Sequence, residues 1–230
     1  MPKAQTAKNN GAVVETEVVD TLTTLNVPAP NFGILKCKII GSTTYCQNKF
    51  GAKALQMLKD QQMAGSTAKS KKAREPKDFD KLYHDAMHVS KEGWCGIPSP
   101  AFRNAMIDAC RTVGVVMTRA KLAVTVVADG FDETSGEPLT RITKGEPHKI
   151  EMPVRNQTGV VDIRARPAWD PGWEAIVTIR FDMDMITAEN VINLMVRVGQ
   201  QVGIGEGRPS SKKSNGLGWG LFDVELPPDE

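Results

Sequence analysis

A glycine-rich stretch late in the chain most constrains what this sequence can fold into. Residues 199–220, GQQVGIGEGRPSSKKSNGLGWG, contain seven of the chain's 20 glycines and lie between a helix pattern and a final strand pattern. Without a Cβ, a glycine backbone can come very close to a ligand or to another segment. The stretch also carries Arg208, Lys212 and Lys213. It is therefore either an anion-binding loop or a flexible surface connection.

The overall composition is that of a globular protein. The chain has 230 residues, of which 40% are hydrophobic and 24% charged, enough for one substantial core or two small ones. Because the net charge is only +2, any site for a polyanion has to be local. No run approaches the ~20 apolar residues that cross a bilayer, and no signal-peptide pattern is present. We therefore expect a cytoplasmic protein that does not contact a membrane.

The cysteines do not form a recognisable metal or disulfide pattern. Cys37, Cys46, Cys95 and Cys110 are too irregularly spaced for a zinc ribbon. Cys37 and Cys110 fall on apolar faces of predicted elements, where a thiol serves as a small hydrophobic side chain. We expect reduced thiols, no metal and no cofactor.

Composition shifts along the chain predict its organisation. Residues 1–31 are polar with scattered valines and end at Pro28-Ala29-Pro30. They form either a flexible arm or a strand added to a neighbouring subunit. Residues 32–226 are predicted to form a single domain, with insertions at 41–95 and 129–159, and residues 227–230 form a tail.

Alternation over residues 33–40, GILKCKII, predicts the first strand. Leu35, Cys37 and Ile39 lie on one face, whereas Lys36 and Lys38 make the centre of the opposite face basic. These lysines either meet phosphate or point into water.

The insertion at 41–95 is predicted to be helical and basic. A short helix at 52–63 precedes a Gly/Ser/Lys-rich segment at 65–77, which we expect to be a mobile loop. A further helix at 78–89 places His84 and His88 four residues apart on one face, the spacing of a metal pair or of a catalytic base with its partner. The zinc-protease pattern HExxH is absent. No catalytic residue is assigned, and surface histidines are the alternative.

The next helix has a clear start. Ser99 is predicted to be its N-cap and Pro100 its first residue, and the apolar stripe runs to residue 113. Arg103 lies in the first turn. Backbone amides and a guanidinium at such a start can bind phosphate together.

The second half is predicted to be mainly strands. A strand at 120–128 precedes the polar excursion 129–159, which we expect to fold out as a β-hairpin without adding to the core. Strands at 160–166 and 175–182 are predicted to pair as a hairpin around residues 169–173. Thr187 caps a helix over 187–198, and the last strand covers 219–226.

In order, the core elements read βαββαβ. This order predicts an α+β domain with a ferredoxin-like core, in which two helices cover one face of an antiparallel sheet. The other face would remain open.

Two motifs in these positions resemble a known family. The helix start GIPSPAFRNAMIDACR at 96–111 and the loop with its strand, VGIGEGRPSSKKSNGLGWGLFDV at 202–224, resemble the RAMP superfamily of CRISPR RNA-binding proteins, above all its repeating backbone subunits. The sequence also resembles uncharacterised bacteriophage proteins. The resemblance implies an RRM-like core that binds RNA or single-stranded DNA, and it implies an oligomer or a complex subunit. It carries no cleavage activity to this chain.

The candidate nucleic-acid-binding residues are basic side chains and loop glycines, with Trp219 or Tyr45 as residues that could stack on a base. They are Lys36, Lys38, Lys69, Lys71, Lys72, Arg74, Arg103, Gly203, Gly205, Gly207, Arg208, Lys212 and Lys213. Two alternatives stay open. One is a phage protein-interaction component, either an assembly subunit or an inhibitor that mimics a CRISPR subunit. The other is a metal-independent ribonuclease with His84 or His88 as general base.

Overall fold

A computed structural model describes residues 27–64, 76–155, 161–211 and 216–226. Within these ranges the chain is a mixed α+β protein with antiparallel sheets and five α-helices, as the sequence predicts at that level. None of the described helices has the length and apolar character needed to cross a bilayer. The predicted arm lies almost entirely outside the described residues, and so does most of the predicted basic loop at 65–77.

The elements have the following bounds. The strands are β1 Phe32–Gly41, β2 Tyr45–Cys46, β3 Gly96–Pro98, β4 Val124–Val127, β5 Gly130–Phe131, β6 Pro138–Lys144, β7 His148–Arg155, β8 Val161–Trp169, β9 Glu174–Asp182 and β10 Phe222–Glu225. The helices are α1 Ala52–Ala64, α2 Phe79–Asp85, α3 Ser99–Ala109, α4 Met117–Ala123 and α5 Ala188–Arg197.

The main sheet is built around β1 and β9. Strand β1 pairs with β10 on one side and with β9 on the other, all antiparallel. Two strands pair with the edge of β9 that faces away from β1. Strand β4 pairs near the C-terminal end of β9, with Val124 opposite Phe181, and β6 pairs near its N-terminal end, with Ile142 opposite Ala175. Strands β3 and β5 pair with β6. The sheet therefore contains four strands in the order β10-β1-β9-β4, widened by β6 and its partners.

The alternation predicted for the first strand is confirmed. Cys37 and Ile39 are fully buried, whereas Lys36 on the opposite face is exposed. The helices α3 and α5 cover the buried face, where Phe102 and Met195 belong to the same core cluster as Cys37. Each such large apolar side chain contributes roughly 1.5–3 kcal/mol by its burial. The burial pattern thus leaves the Lys36 face open.

A second sheet corrects the predicted hairpin of residues 160–166 with 175–182. Both segments are strands, but β8 pairs with β7 and β2 in a separate three-stranded sheet, while β9 lies in the main sheet. Trp169 is the last residue of β8, and Trp173 directly precedes β9. Both indoles are fully buried, and their ring centroids lie 5.5 and 5.3 Å from that of Tyr45. Burying both indoles in one corner separates the two strands into different sheets.

The excursion at 129–159 also differs from the prediction. It does not fold out as an independent hairpin, because β6 joins the main sheet and buries Leu139 and Ile142 in it, and β7 pairs with β8. Because the excursion is polar overall, the few apolar residues that β6 buries were not recognised in the sequence. Within the described part of the excursion, only the short β5–β6 turn has the form of a hairpin.

The predicted strand at 120–128 begins too early. Residues up to Ala123 belong to helix α4, on which Leu122 is 76% exposed. Strong helix formers such as Ala120 and Lys121 precede the β-branched run Val124–Val127, and the change of structure falls at that change of composition.

The predicted helix ends are confirmed in part. The Thr187 hydroxyl accepts a hydrogen bond from the Asn190 amide at 3.3 Å, so it caps α5 as expected. Ser99 is not a cap: Pro98 takes that position, and the buried Ser99 hydroxyl bonds to Thr140 Oγ1 at 2.9 Å. Helix α3 ends at Ala109, followed by a short 3-10 turn, and the last strand is shorter than 219–226.

Candidate nucleic-acid interface

The open face of the main sheet carries a mixed apolar and basic surface. On β1 it presents Ile34, which is 68% exposed, and Lys36. On β9 it presents Ile176, Thr178 and Arg180, and register places Arg180 opposite Ile34 and Thr178 opposite Lys36. Two further residues, Thr125 and Val127, continue these rows on β4. The exposure of these side chains shows that no described element covers this face.

An aromatic ring and a guanidinium stack on this face. The Arg180 guanidinium carbon lies 4.1 Å from the centroid of the Phe32 ring, and Phe32 is 43% exposed. This is a cation–π contact, which favours keeping the two side chains together. Sequence reasoning missed both residues, although Arg180 stands in the polar phase of β9 and that alternation could have identified it.

The two lysines of β1 differ in their surroundings. Lys38 Nζ lies 3.0 Å from Glu174 Oε2 and 3.8 Å from Glu225 Oε2. Hydrogen bonds from Lys144 and Lys38 lower the pKa of the Glu174 carboxyl. Lys36 forms no ion pair within the described part of the chain. Its charge is therefore available to a ligand, whereas that of Lys38 is largely neutralised.

The structure does not bring Arg103 to this face. Its Nε donates to the Val124 carbonyl oxygen at 3.1 Å, and its Nη2 donates to the carbonyl oxygen of Lys121. Arg103 thus closes the junction of α4 and β4 in the helix layer. The sheet lies between it and Lys36.

The glycine-rich loop is held by its own hydrogen bonds. The amides of Gly203, Ile204 and Glu206 donate to the carbonyl oxygens of Val198, Gly220 and Cys46 at 2.8, 3.0 and 2.9 Å. A Cβ on Gly205, whose φ is +77°, would lie 2.5 Å from the Cys46 oxygen. Close packing against β2 is therefore sufficient reason for this glycine, whether or not an anion binds.

The remaining predicted residues fall in different places. Gly207, with φ at +79°, packs beneath the Trp219 ring, and Arg208 Nη1 turns back to the Gly205 carbonyl oxygen at 2.9 Å. Tyr45 is only 1% exposed, so the prediction that it could stack on a base is wrong. The predicted residues Lys69, Lys71, Lys72, Arg74, Lys212 and Lys213 lie outside the described residues.

The predicted histidine pair does not form. Helix α2 ends at Asp85, so His84 is exposed on the helix while His88 lies beyond its end and is only 6% exposed. The prediction that the two share a helical face is therefore wrong. Among the described residues, no group of three His, Cys, Asp or Glu side chains is placed to hold a metal ion.

His88 instead belongs to a buried charge cluster that the sequence did not reveal. Asp132 is fully buried, and its two carboxylate oxygens accept hydrogen bonds from Lys49 Nζ at 2.7 and 2.9 Å. His88 Nδ1 lies 3.4 Å from Asp132 Oδ2 and 3.8 Å from Glu137 Oε2. Lys49 and Asp132 are 83 residues apart, so no local spacing could have signalled the pair.

The pKa values in this cluster are set by burial and by Lys49. Burial alone would raise the pKa of Asp132, but hydrogen bonds from Lys49 and from the amide and hydroxyl of Ser135 lower it to about 2. Burial lowers the pKa of His88, and Asp132 only partly offsets that effect. The cluster is closed to solvent at Asp132, which fits a structural role at the β5–β6 turn.

Comparison with known proteins adds no relative. The sequence matches no protein-family model, and no curated protein matches it at significant similarity.

The depressed pKa of His88 predicts a loss of stability at mildly acidic pH. In the unfolded chain the His88 imidazole takes up a proton near its ordinary pKa of 6.5, whereas in the folded chain its pKa is lower. The free energy of unfolding is therefore expected to decline as pH falls below about 6.5. Denaturant unfolding over roughly pH 7.5 to 5, the range in which histidine titrates, measures this decline.

Two variants assign the pH effect. In His88→Gln the decline through this range should be smaller than in the native chain. Burial raises the pKa of Glu137, which acts in the opposite direction, so Glu137→Gln should keep or steepen the decline. An unchanged pH profile in His88→Gln would contradict the assignment.

Proposed function

We propose that this protein binds single-stranded nucleic acid, RNA or DNA, on the open face of its main sheet and catalyses no reaction there. The strand order β10-β1-β9-β4, with α3 and α5 on the opposite face, supports a ferredoxin-like core. A sheet of four strands with one open face is the platform on which RRM domains stack bases. The motifs that resemble the RAMP superfamily favour the same class of ligand.

The observation that carries the proposal is the group formed by Lys36, Phe32 and Arg180. The Phe32 ring and the Arg180 guanidinium stacked over it are planar groups against which a base can stack, and Lys36 places an unpaired charge nearby on the same strand as Phe32. Bases and phosphates need these two kinds of contact. The exposed Ile34 between Phe32 and Lys36 adds apolar surface for a second base.

Acidic residues limit where the ligand can lie. Asp223 and Glu225 are exposed on β10, and Glu225 also faces Lys38. Phosphates are repelled from that edge. The ligand is therefore expected to cross β1, β9 and β4 and to avoid β10. Such a binding path is short and needs only a local positive charge, which is compatible with the chain's net charge of +2.

Two substitutions separate charge from stacking. Lys36→Glu is expected to weaken binding of oligo(U) or oligo(dT) about tenfold and to reduce the salt dependence by about one phosphate contact, a slope change of about 0.7. Phe32→Ala is expected to weaken binding about tenfold through lost stacking, with the slope nearly unchanged. Fluorescence anisotropy over a salt series measures both affinity and slope.

The matched control is Lys121→Glu, which makes the same charge change at an exposed position on α4 in the helix layer. It should alter affinity by less than about twofold, since its charge is far from the proposed path and screened. Native protein that fails to bind either oligomer at low salt would overturn the proposal. So would Lys36→Glu and Lys121→Glu with equal effects. Comparing the two oligomers decides between RNA and DNA.

The resemblance also implies self-association. Light scattering of the same preparation, with and without oligomer, gives the mass of the particle. A phage origin and a place in the host cytoplasm are consistent with the resemblance and are proposed on it alone.

A further inference from the structure

An apolar groove on the helix face is uncovered in the described part of the chain. It lies between α4 and α5, has a volume of about 940 Å³, and is lined by the exposed Val113, Val115 and Val116 together with Leu194. Val115 and Val116 are 45% and 58% exposed. Adjacent exposed valines over a groove of this size mark a surface that another segment covers.

The rim of the groove is basic. Arg119 from α4 and Arg197 from α5 line it, and the other polar lining residues are the neutral side chains Asn190, Asn193, Gln200 and Gln201. Among the described residues, no acidic side chain lines the groove. An occupant should therefore combine apolar residues with negative charge.

One segment of this same chain has that composition. Residues 12–26, AVVETEVVDTLTTLN, contain six valines and leucines together with Glu15, Glu17 and Asp20, and there is no lysine or arginine between Lys8 and Lys36. The segment is thus both apolar and acidic, which complements the groove in both properties.

The chain enters the described part beside the groove. The Met183 amide donates to the Asn31 carbonyl oxygen at 2.8 Å. Met185 and Ile186, two and three positions after Met183, line the groove. The six residues from Asn26 to Asn31 can span at most about 20 Å. The segment can therefore reach the groove of its own chain without crossing the sheet.

We propose that residues 12–26 bind in the groove between α4 and α5 of the same chain. The apolar side chains of the segment cover Val115 and Val116, and its carboxylates face Arg119 and Arg197. This binding lies on the helix face and does not depend on the nucleic-acid face. Failure of either proposal leaves the other in place.

Photocrosslinking of the full chain tests the contact. A benzophenone side chain at Val116 is expected to crosslink to residues 12–26, identified by mass spectrometry of the digest. The control is the same side chain at Val127, a valine 41% exposed on the open sheet face, which should give no such crosslink. Mixing isotope-labelled with unlabelled protein should show crosslinks within one chain only. Crosslinks between differently labelled chains, or none to residues 12–26, would overturn the proposal.

A second measurement compares dye binding by the full-length chain and by two double variants. Val18→Asp with Leu22→Asp should release the groove and raise binding of the apolar dye ANS at least about twofold. Thr16→Asp with Thr21→Asp adds the same charge without removing apolar side chains and should change dye binding less. Equal dye binding in the native chain and in both double variants would count against the contact.

Discussion

Replacing Lys49 with methionine is expected to lower the free energy of unfolding by about 3–5 kcal/mol. The Asp132 carboxylate is fully buried, and both of its oxygens accept hydrogen bonds from the Lys49 ammonium. Removing the cation leaves a buried carboxylate that retains its local hydrogen bonds from Thr134 and Ser135, with His88 Nδ1 3.4 Å from its Oδ2. Urea denaturation at neutral pH measures the loss.

A matched control tests burial as the cause. Lys144 also pairs with a carboxylate, lying 3.0 Å from Glu174 Oε1, but its side chain is 66% exposed. Lys144→Met should cost less than about 1 kcal/mol. Adding Asp132→Asn to Lys49→Met removes the buried charge and should recover part of the stability. If Lys49→Met cost no more than Lys144→Met, the cluster would not stabilise the fold as described.

Gly220→Ala is expected to cost at least about 3 kcal/mol, because two effects add. Gly220 has φ at +72°, which an alanine adopts only with strain, and a Cβ there would lie 1.8 Å from the Ile204 carbonyl oxygen. That oxygen belongs to backbone held by the hydrogen bond from the Ile204 amide to the Gly220 carbonyl oxygen at 3.0 Å. The clash can be relieved only by moving the loop away from the last strand. The shift of the thermal midpoint measures the cost.

Gly218→Ala separates the two effects. Gly218 has nearly the same backbone conformation, with φ at +66°, but nothing lies within 4 Å of its Cβ position. It should cost only the strain of a left-handed alanine, about 1–2 kcal/mol. Equal losses in the two variants would mean that the close approach of Gly220 to Ile204 is not rigidly kept.

Local patterns account for the parts of the fold that were predicted well. The alternation of Cys37 and Ile39 with the two lysines predicted a half-buried strand, and Thr187 predicted the start of a helix. Both signals arise within one turn of helix or one strand, where side-chain direction follows from the backbone period. The open face that carries Lys36 follows from the same alternation.

Features that join distant segments were not predictable in this way. The assignment of β8 to a second sheet depends on Trp169, Trp173 and Tyr45 packing into one corner, with Tyr45 more than 120 positions away. Arg103 lies in the first turn of a helix, where a guanidinium can bind phosphate. Its guanidinium instead donates hydrogen bonds to the backbone carbonyl oxygens of Lys121 and Val124, 18 and 21 positions later. Competing partners of this kind are invisible to a pattern read along the chain.

The glycine-rich stretch shows where the two sources of information divide. The sequence by itself determined that the backbone of residues 199–220 can take left-handed conformations and approach another group closely, because glycine has no Cβ. Only the tertiary structure decided what that other group is: the Cys46 carbonyl oxygen for Gly205 and the Ile204 carbonyl oxygen for Gly220. Composition specifies which conformations a segment permits. The contacts it makes depend on which distant segments the rest of the fold places beside it.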